Sequence, residues 1–318
     1  MIEFHARYLF SVHELFINQN ITKMKKYKLT NETTECNGVT LHRIEALMDF
    51  ADVKKGDKGG FVQSEKNLSQ TGDCWVYNDA KVYGNAKVYG NAKVGDDACV
   101  YGNAKVFGDA WVCYDAKVFG NAKVFGNTFV FGRANVYGNA VVYENAEVFG
   151  YAYVFDYAKV FSYAKVFGNA MVYGNAQVYE NACISGNAMV YGDAEVYGNA
   201  YICYDAQVYE NAHVFDYAKV FGYAKVFGNA KVSGNAKVLG YDTEICGQGD
   251  YIVFKNWWSS GRYFTWTRSN NMWSVGCFYG IGDELIKKAY ADSEESGREY
   301  ERIVKYVESI LNDNAISI

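Results

Sequence analysis

AKVYGNAKVYGNAKV, residues 80–94, repeats a six-residue unit, and the parity within that unit decides the fold. Successive residues of an extended chain point to opposite sides, so Ala and Val share one side while Lys and Tyr share the other. Lysine is almost never fully buried, which puts the Lys/Tyr side in water and the Ala/Val side inside. The Gly-Asn that closes each unit supplies a corner, because Gly takes positive φ freely and Asn tolerates it.

Working outward, the unit keeps its phase from Val76 to Val238. Only Ile184 and Ile202 replace Val, and the position two earlier is Ala from Ala80 to Ala236 except for Thr128, with Cys74 opening the series. After Gly240 the phase fails, since Glu244 stands where a Val is due. A second period appears where the outward aromatic is missing: Gly95, Cys113, Ser185, Cys203, Ser233 and Leu239. All but Ser233 are separated by multiples of eighteen, and AWVCYD (110–115) returns as AYICYD (200–205) five eighteens later. Eighteen residues therefore make one three-sided coil. Coils stack at the strand spacing of about 4.8 Å, so about nine of them give a rod roughly 45 Å long. The chain contains no proline, as a fully paired ladder requires.

This AKV[YF]GN unit resembles the hexapeptide repeat of left-handed β-helix proteins, over residues 74–240. The resemblance implies a left-handed parallel β-helix, a mainly β triangular solenoid. It departs from that family in one respect: the residue after the aliphatic is Tyr or Phe here, where a small or acidic residue is usual. The lead-in, with Gly56-Asp57, Gly59-Gly60-Phe61, Asn67-Leu68-Ser69 and Trp75, resembles that of hexapeptide-repeat proteins of phages, prophages and gut or oral bacteria. So does the tail GCFYG…GDELIKKAYADSE.

Four segments follow. Met24 opens MKKYKL like a translational start, making 1–23 a disordered or mis-assigned extension; 24–73 is an N-terminal β cap; 74–240 is the solenoid; and 241–318 is a small C-terminal α+β module. In the cap, Asn37-Gly38 predicts a two-residue hairpin turn. Gly59-Gly60 reads as a turn, because no phosphate-loop pattern follows it. In the tail, 250–254, 262–269 and 272–280 read as strands with a tight turn at Asn270-Asn271. Asp283–Ala291 reads as a helix, and a second helix is expected from Ser296, with Glu299 completing a capping box.

The outward positions define three faces. Face two carries an unbroken aromatic column: Tyr83, Tyr101, Phe119, Tyr137, Phe155, Tyr173, Tyr191, Tyr209 and Phe227. Face three carries another, from Tyr89 to Phe215. Face one is interrupted, with Trp75, Trp111 and Tyr201 in its neighbouring column. Stacked rings support one another at roughly 0.5–1.5 kcal/mol per pair, so ladders stabilise the coil. Extended aromatic surfaces also dock partners. The face-two column from Tyr83 to Tyr209, the face-one residues Trp75, Trp111 and Tyr201, and a set in the tail (Trp257, Trp258, Arg262, Trp266, Arg268, Trp273) are the candidate binding residues.

Net charge is −5, which excludes a general coat for nucleic acid. No stretch reaches the roughly 18 apolar residues of a membrane span. Eight scattered cysteines without a CxxC pair suggest a reducing, cytoplasmic setting. The family resemblance brings in acyltransferases, which use a histidine base and a loop extruded from a coil. Of the four histidines only His213 lies in the repeat, the unbroken phase leaves no extruded loop, and three histidines for a zinc site are missing. The expectation is a non-catalytic scaffold with no cofactor or metal, encoded by a phage or other mobile element. It would bind a protein, in one version a host defence complex. A hexapeptide-type acyltransferase and a self-assembling or glycan-binding solenoid, including a homo-oligomer, are the alternatives.

Overall fold

A computed structural model describes residues 24–258 and 260–315, so the reading of 1–23 as an extension lies outside the described residues. Each repeat unit contributes a two-residue strand such as Lys81–Val82 or Lys87–Val88. Each strand pairs in parallel with the one eighteen residues on: Val82 with Val100, Val88 with Val106, Val112 with Val130. Three sheets result, with ten strands on face one and nine on face three. Face two has thirteen, because an antiparallel cap (β1, Tyr27–Cys36; β2, Val39–Ala46; β3, Lys58–Val62) joins its first coil. The protein is a parallel β-solenoid of about ten turns with a small sheet-and-helix module at its C-terminal end. The inward Ala and Val residues are dry along the whole tube. Thr128, the one inward polar residue of the series, satisfies its hydroxyl by donating to Phe125 O at 2.6 Å.

Both ends of the solenoid extend past the expected boundaries. At the C-terminal end the chain inserts one residue after Gly240 and resumes. Glu244 pairs with Lys225 and Ile245 with Val226, and Ile245 is fully buried in the tube. Thr243 takes the place of the usual Ala, its hydroxyl donating to Leu239 O at 2.7 Å. The loss of phase at Glu244 is thus a one-residue shift. At the other end β3 pairs in parallel with Lys81–Val82, and Leu68 bridges to Val88, making a partial first turn. Gly59 and Gly60 lie in this strand and not in a turn: a Cβ on Gly60 would sit 2.6 Å from Ala80 O. The cap turns at Asn37-Gly38 as expected, with both residues at positive φ. Its Arg43 staples it to the rod, donating to Gly59 O and Asn78 O and pairing with Asp79 at 3.0 Å. Lys26 is buried against the first coil, donating to Cys74 O at 2.7 Å and Gly72 O at 3.0 Å. Desolvation lowers its pKa.

In the tail, strands Tyr251–Lys255, Tyr263–Thr267, Met272–Val275 and Phe278–Gly280 form one antiparallel sheet. The expected strand 272–280 is broken in two by a turn at Gly276-Cys277. The tight turn at Asn270-Asn271 is instead a four-residue loop, Arg268–Asn271. Helix Gly282–Asp292 stands where expected, but the second helix, Glu294–Ala315, starts before Ser296. Ser293, not Ser296, caps it, its hydroxyl accepting the Ser296 N–H at 3.1 Å.

At the corners the first residue of each turn adopts positive φ whether or not it is Gly; Tyr114, Glu144, Ser162, Glu180 and Tyr204 all do. Acidic corner residues offset that cost by accepting the corner N–H of the next coil. Gly198 donates to Glu180 at 2.8 Å, Gly228 to Glu210 at 2.9 Å and Gly234 to Asp216 at 3.0 Å. Position along the rod also matters. A Cβ on Gly126 would lie 2.7–2.9 Å from the backbone of Glu144, whereas one on Gly234 meets nothing within 4 Å. Gly126→Ala is therefore expected to cost about 2–4 kcal/mol and Gly234→Ala only about 1 kcal/mol. Urea midpoints of the two variants check this; equal losses would contradict the clash.

Candidate functional site

The outer surface of the rod is organised by stacking between coils. On face two the rings from Tyr83 to Phe227 form one continuous ladder, with successive centroids 4.8–5.1 Å apart and planes within 6°. The coil spacing and the favoured stacking distance coincide, so each ring covers its neighbours. Phe119, Tyr137, Phe155, Tyr173, Tyr191 and Tyr209 are consequently half-buried. Burial pushes the phenol pKa of Tyr137, Tyr173, Tyr191 and Tyr209 upward.

The N-terminal rungs are not open surface. The cap lies over them: Leu41 of β2 and Phe61 of β3 pack against Tyr83, and Asn37 Nδ2 donates to its hydroxyl at 2.9 Å. Tyr101 packs at the edge of the same cluster. This removes Tyr83 from the candidate surface, because a segment some forty residues earlier in the chain covers it.

Face one departs further from expectation. Trp75 is 1% exposed and lies in the core, edge-on to Tyr27 and Phe50 of the cap. Trp111 and Tyr201 fill gaps in the preceding coil. The Trp111 indole nitrogen lies 3.8 Å from where a Gly95 Cβ would be, and Tyr201 shares a hydrogen bond with Ser185 Oγ at 3.0 Å. Trp111 still leaves 43% of its surface exposed, beside a tilted Phe129.

The candidate set in the tail is divided by the core. Trp266 and Trp273 are buried with Phe264, Val275 and Leu285, and Trp266 Nε1 donates to Asn271 at 2.8 Å. They belong to the module's interior and not to a binding pocket, because both side chains point between the sheet and the helices. Trp258 is half-buried against Phe264 and Tyr300. Trp257 and Arg262 are exposed on the connection after Tyr251–Lys255, and Arg268 is exposed on the next one, 268–271. The six residues do not converge on one pocket.

The most exposed aromatics of the solenoid are tyrosines at the corners, which stand in place of Asn or Gly. Tyr151, Tyr157 and Tyr163 occupy all three corners of a single coil at 51–62% exposure, with Tyr153 beside them. Arg133 donates to the Tyr151 hydroxyl at 3.0 Å from the coil before. Toward the C-terminal end, Tyr223 and Tyr241 stack at 4.5 Å. The dipeptides Gly-Tyr, Asp-Tyr and Ser-Tyr in the repeat carried this signal, but a corner reading treats them only as turns. Elsewhere the corners carry amide ladders, such as Asn85–Asn103–Asn121–Asn139 at 3.0–3.1 Å.

His213 lies on the strand His213–Val214 of face three. Its Nδ1 is 3.7 Å from Glu195 Oε2, and Glu195 also accepts the Tyr179 hydroxyl at 3.0 Å. Burial pushes the Cys113, Cys183 and Cys203 thiols up to about 11, which leaves them protonated and poorly nucleophilic at neutral pH. Among the described residues no group of three His, Cys, Asp or Glu is placed to hold a metal ion, and no helix is long and apolar enough to cross a membrane.

Similarity to other proteins follows the repeat. The YdcK beta-solenoid repeat family matches residues 164–180 and 182–198. The chain is also 36% identical over 63 residues to the uncharacterized acetyltransferase YdcK of Escherichia coli (strain K12). That alignment covers 17% of this chain and 19% of YdcK, so it spans about a fifth of the relative's length. Both similarities fit a solenoid of the hexapeptide type.

Proposed function

We propose that the protein is a rigid, non-catalytic scaffold whose corner tyrosines bind another protein. The observation that carries this is the coil 146–163, where Tyr151, Tyr157 and Tyr163 project from every corner and Tyr153 stands beside them. Tyrosine gives large contact area with few rotatable bonds, and it is enriched in binding surfaces for that reason. Stacked ladders beneath hold the coil still, so little ordering entropy opposes binding. The sharper form of the reading is a phage- or mobile-element-encoded protein acting in the cytoplasm on a host defence complex, with the rod as a wedge.

Affinity purification from bacterial lysate with mass spectrometry tests it. The intact chain is expected to return a defined partner, and the Tyr151→Ser/Tyr157→Ser/Tyr163→Ser variant to lose it by about tenfold or more while melting normally. Retention of the partner by that variant would remove the tyrosine surface from the proposal. The similarity to YdcK supports a second reading as an acyltransferase. Calorimetry with acetyl-CoA on the same preparation separates the two, since a scaffold gives no heat of binding.

A further inference from the structure

The ladder of face three ends one rung early. Its rings run from Tyr89 to Phe215 at 4.7–5.2 Å, and the next position is Ser233. Among the described residues, Tyr197 stacks on one side of the Phe215 ring and no ring stacks on the other. A cavity of about 590 Å³ opens at this place. Phe215 and Ser233 line it on the solenoid side, and Tyr251, Val253 and Tyr263 of the C-terminal module line the opposite wall. The Tyr251 hydroxyl fixes that wall, donating to Lys231 O at 2.9 Å and accepting the Ser233 N–H at 3.3 Å. Lys231, which makes no ion pair among the described residues, lines the same cavity. A second cation, Lys255, lies over the Tyr263 ring at 5.8 Å.

These features define a ligand. An exposed ring face at the end of a ladder favours another flat ring about one coil spacing away. The volume is that of a small-molecule site. The Lys231 ammonium in the lining, with Lys255 nearby over the ring of the lining Tyr263, favours a negative substituent on that ring. The geometry points to a binding site for a planar aromatic anion, which takes the place of the ninth rung between solenoid and module. The site is independent of the protein-binding reading, because none of the corner tyrosines proposed there lines it.

Naphthoate titrated into the full-length chain, followed by its fluorescence, tests the site, with naphthalene and cyclohexanecarboxylate as probes lacking the charge or the flat ring. Naphthoate is expected to bind, and the other two to bind at least about tenfold more weakly. Ser233→Tyr supplies the missing ring from within. It is expected to abolish naphthoate binding while raising the melting temperature, so loss of binding cannot be mistaken for unfolding. Lys231→Met is expected to weaken naphthoate by about tenfold and leave naphthalene unchanged. No binding of naphthoate, or binding that survives Ser233→Tyr, overturns the assignment. So would a chain that ignores all three probes yet loses a protein partner on Ser233→Tyr, since the gap would then receive a side chain of that partner.

Discussion

Val154→Asp is expected to unfold the centre of the rod, at a cost of about 5 kcal/mol or more. Val154 is fully buried, and its neighbours above and below in the sheet are Val136 and Val172. The substitution removes about 1.5–3 kcal/mol of apolar burial. It also places a carboxyl in a tube lined by Ala and Val, with no donor to meet it, which adds several kcal/mol even after the group protonates. Each coil touches only the coils beside it, so the damage is confined to a few turns at first. Limited proteolysis should therefore cut between about coils four and six and release two resistant fragments. The control is Lys159→Asp, five residues along on the outer side, expected to change stability by about 0.5 kcal/mol or less. A Val154→Asp protein that melts with the parent would mean that Val154 does not face a dry interior.

Stability is expected to fall steeply as pH rises past 10. Burial in the ladders pushes the phenols of Tyr83, Tyr101, Tyr137, Tyr143, Tyr173, Tyr191, Tyr197 and Tyr209 above their ordinary value of 10.0. Tyr179 is raised by burial and then by its hydrogen bond to Glu195. The direction follows from proton counts. Above pH 10 the unfolded chain releases phenolic protons that the folded chain keeps, so unfolding gains from each further rise in pH. The ladder contribution is complete below pH 10 and is lost as the folded phenols ionise. Melting temperature and phenolate absorbance, recorded together from roughly pH 8 to 12, measure this. Replacing Tyr137, Tyr173 and Tyr191 by Phe keeps the stack and removes three of the groups. That variant should match the parent at neutral pH and lose less on the alkaline side. Identical alkaline slopes would show that the ladder phenols are not the source.

How much of this was legible beforehand depends on the range of the interaction. The lysine parity test oriented every strand correctly, because alternation is a property of neighbouring residues. The columns of rings were also legible, since an eighteen-residue coil puts residue i beside i+18 whatever else the chain does. The corner tyrosines were visible as letters and missed as surface. The Tyr of a Gly-Tyr corner has no strand parity to say whether its ring lies flat or projects.

Trp75, Tyr83, Trp266 and Trp273 looked like candidates for binding and are covered. What covers them comes from distant segments: Tyr27 and Phe50 over Trp75, Leu41 over Tyr83, and the packing of sheet on helix around Trp266 and Trp273. Ile245 shows the same in reverse. A one-residue insertion broke the pattern in the letters, yet the coil below still offered a paired edge and a dry lumen for the chain to rejoin.

The sequence alone determined the three-sided coil, its eighteen-residue circuit, the Val and Ala interior and the stacked rings outside, because each follows from parity and a fixed repeat. Only the tertiary structure decided which rings stay open to water, where the solenoid stops, and that the gap at Ser233 is walled by the C-terminal module. Those outcomes depend on how the two caps fold back onto the rod, and docking of that kind is set by complementary surfaces that no repeat period encodes.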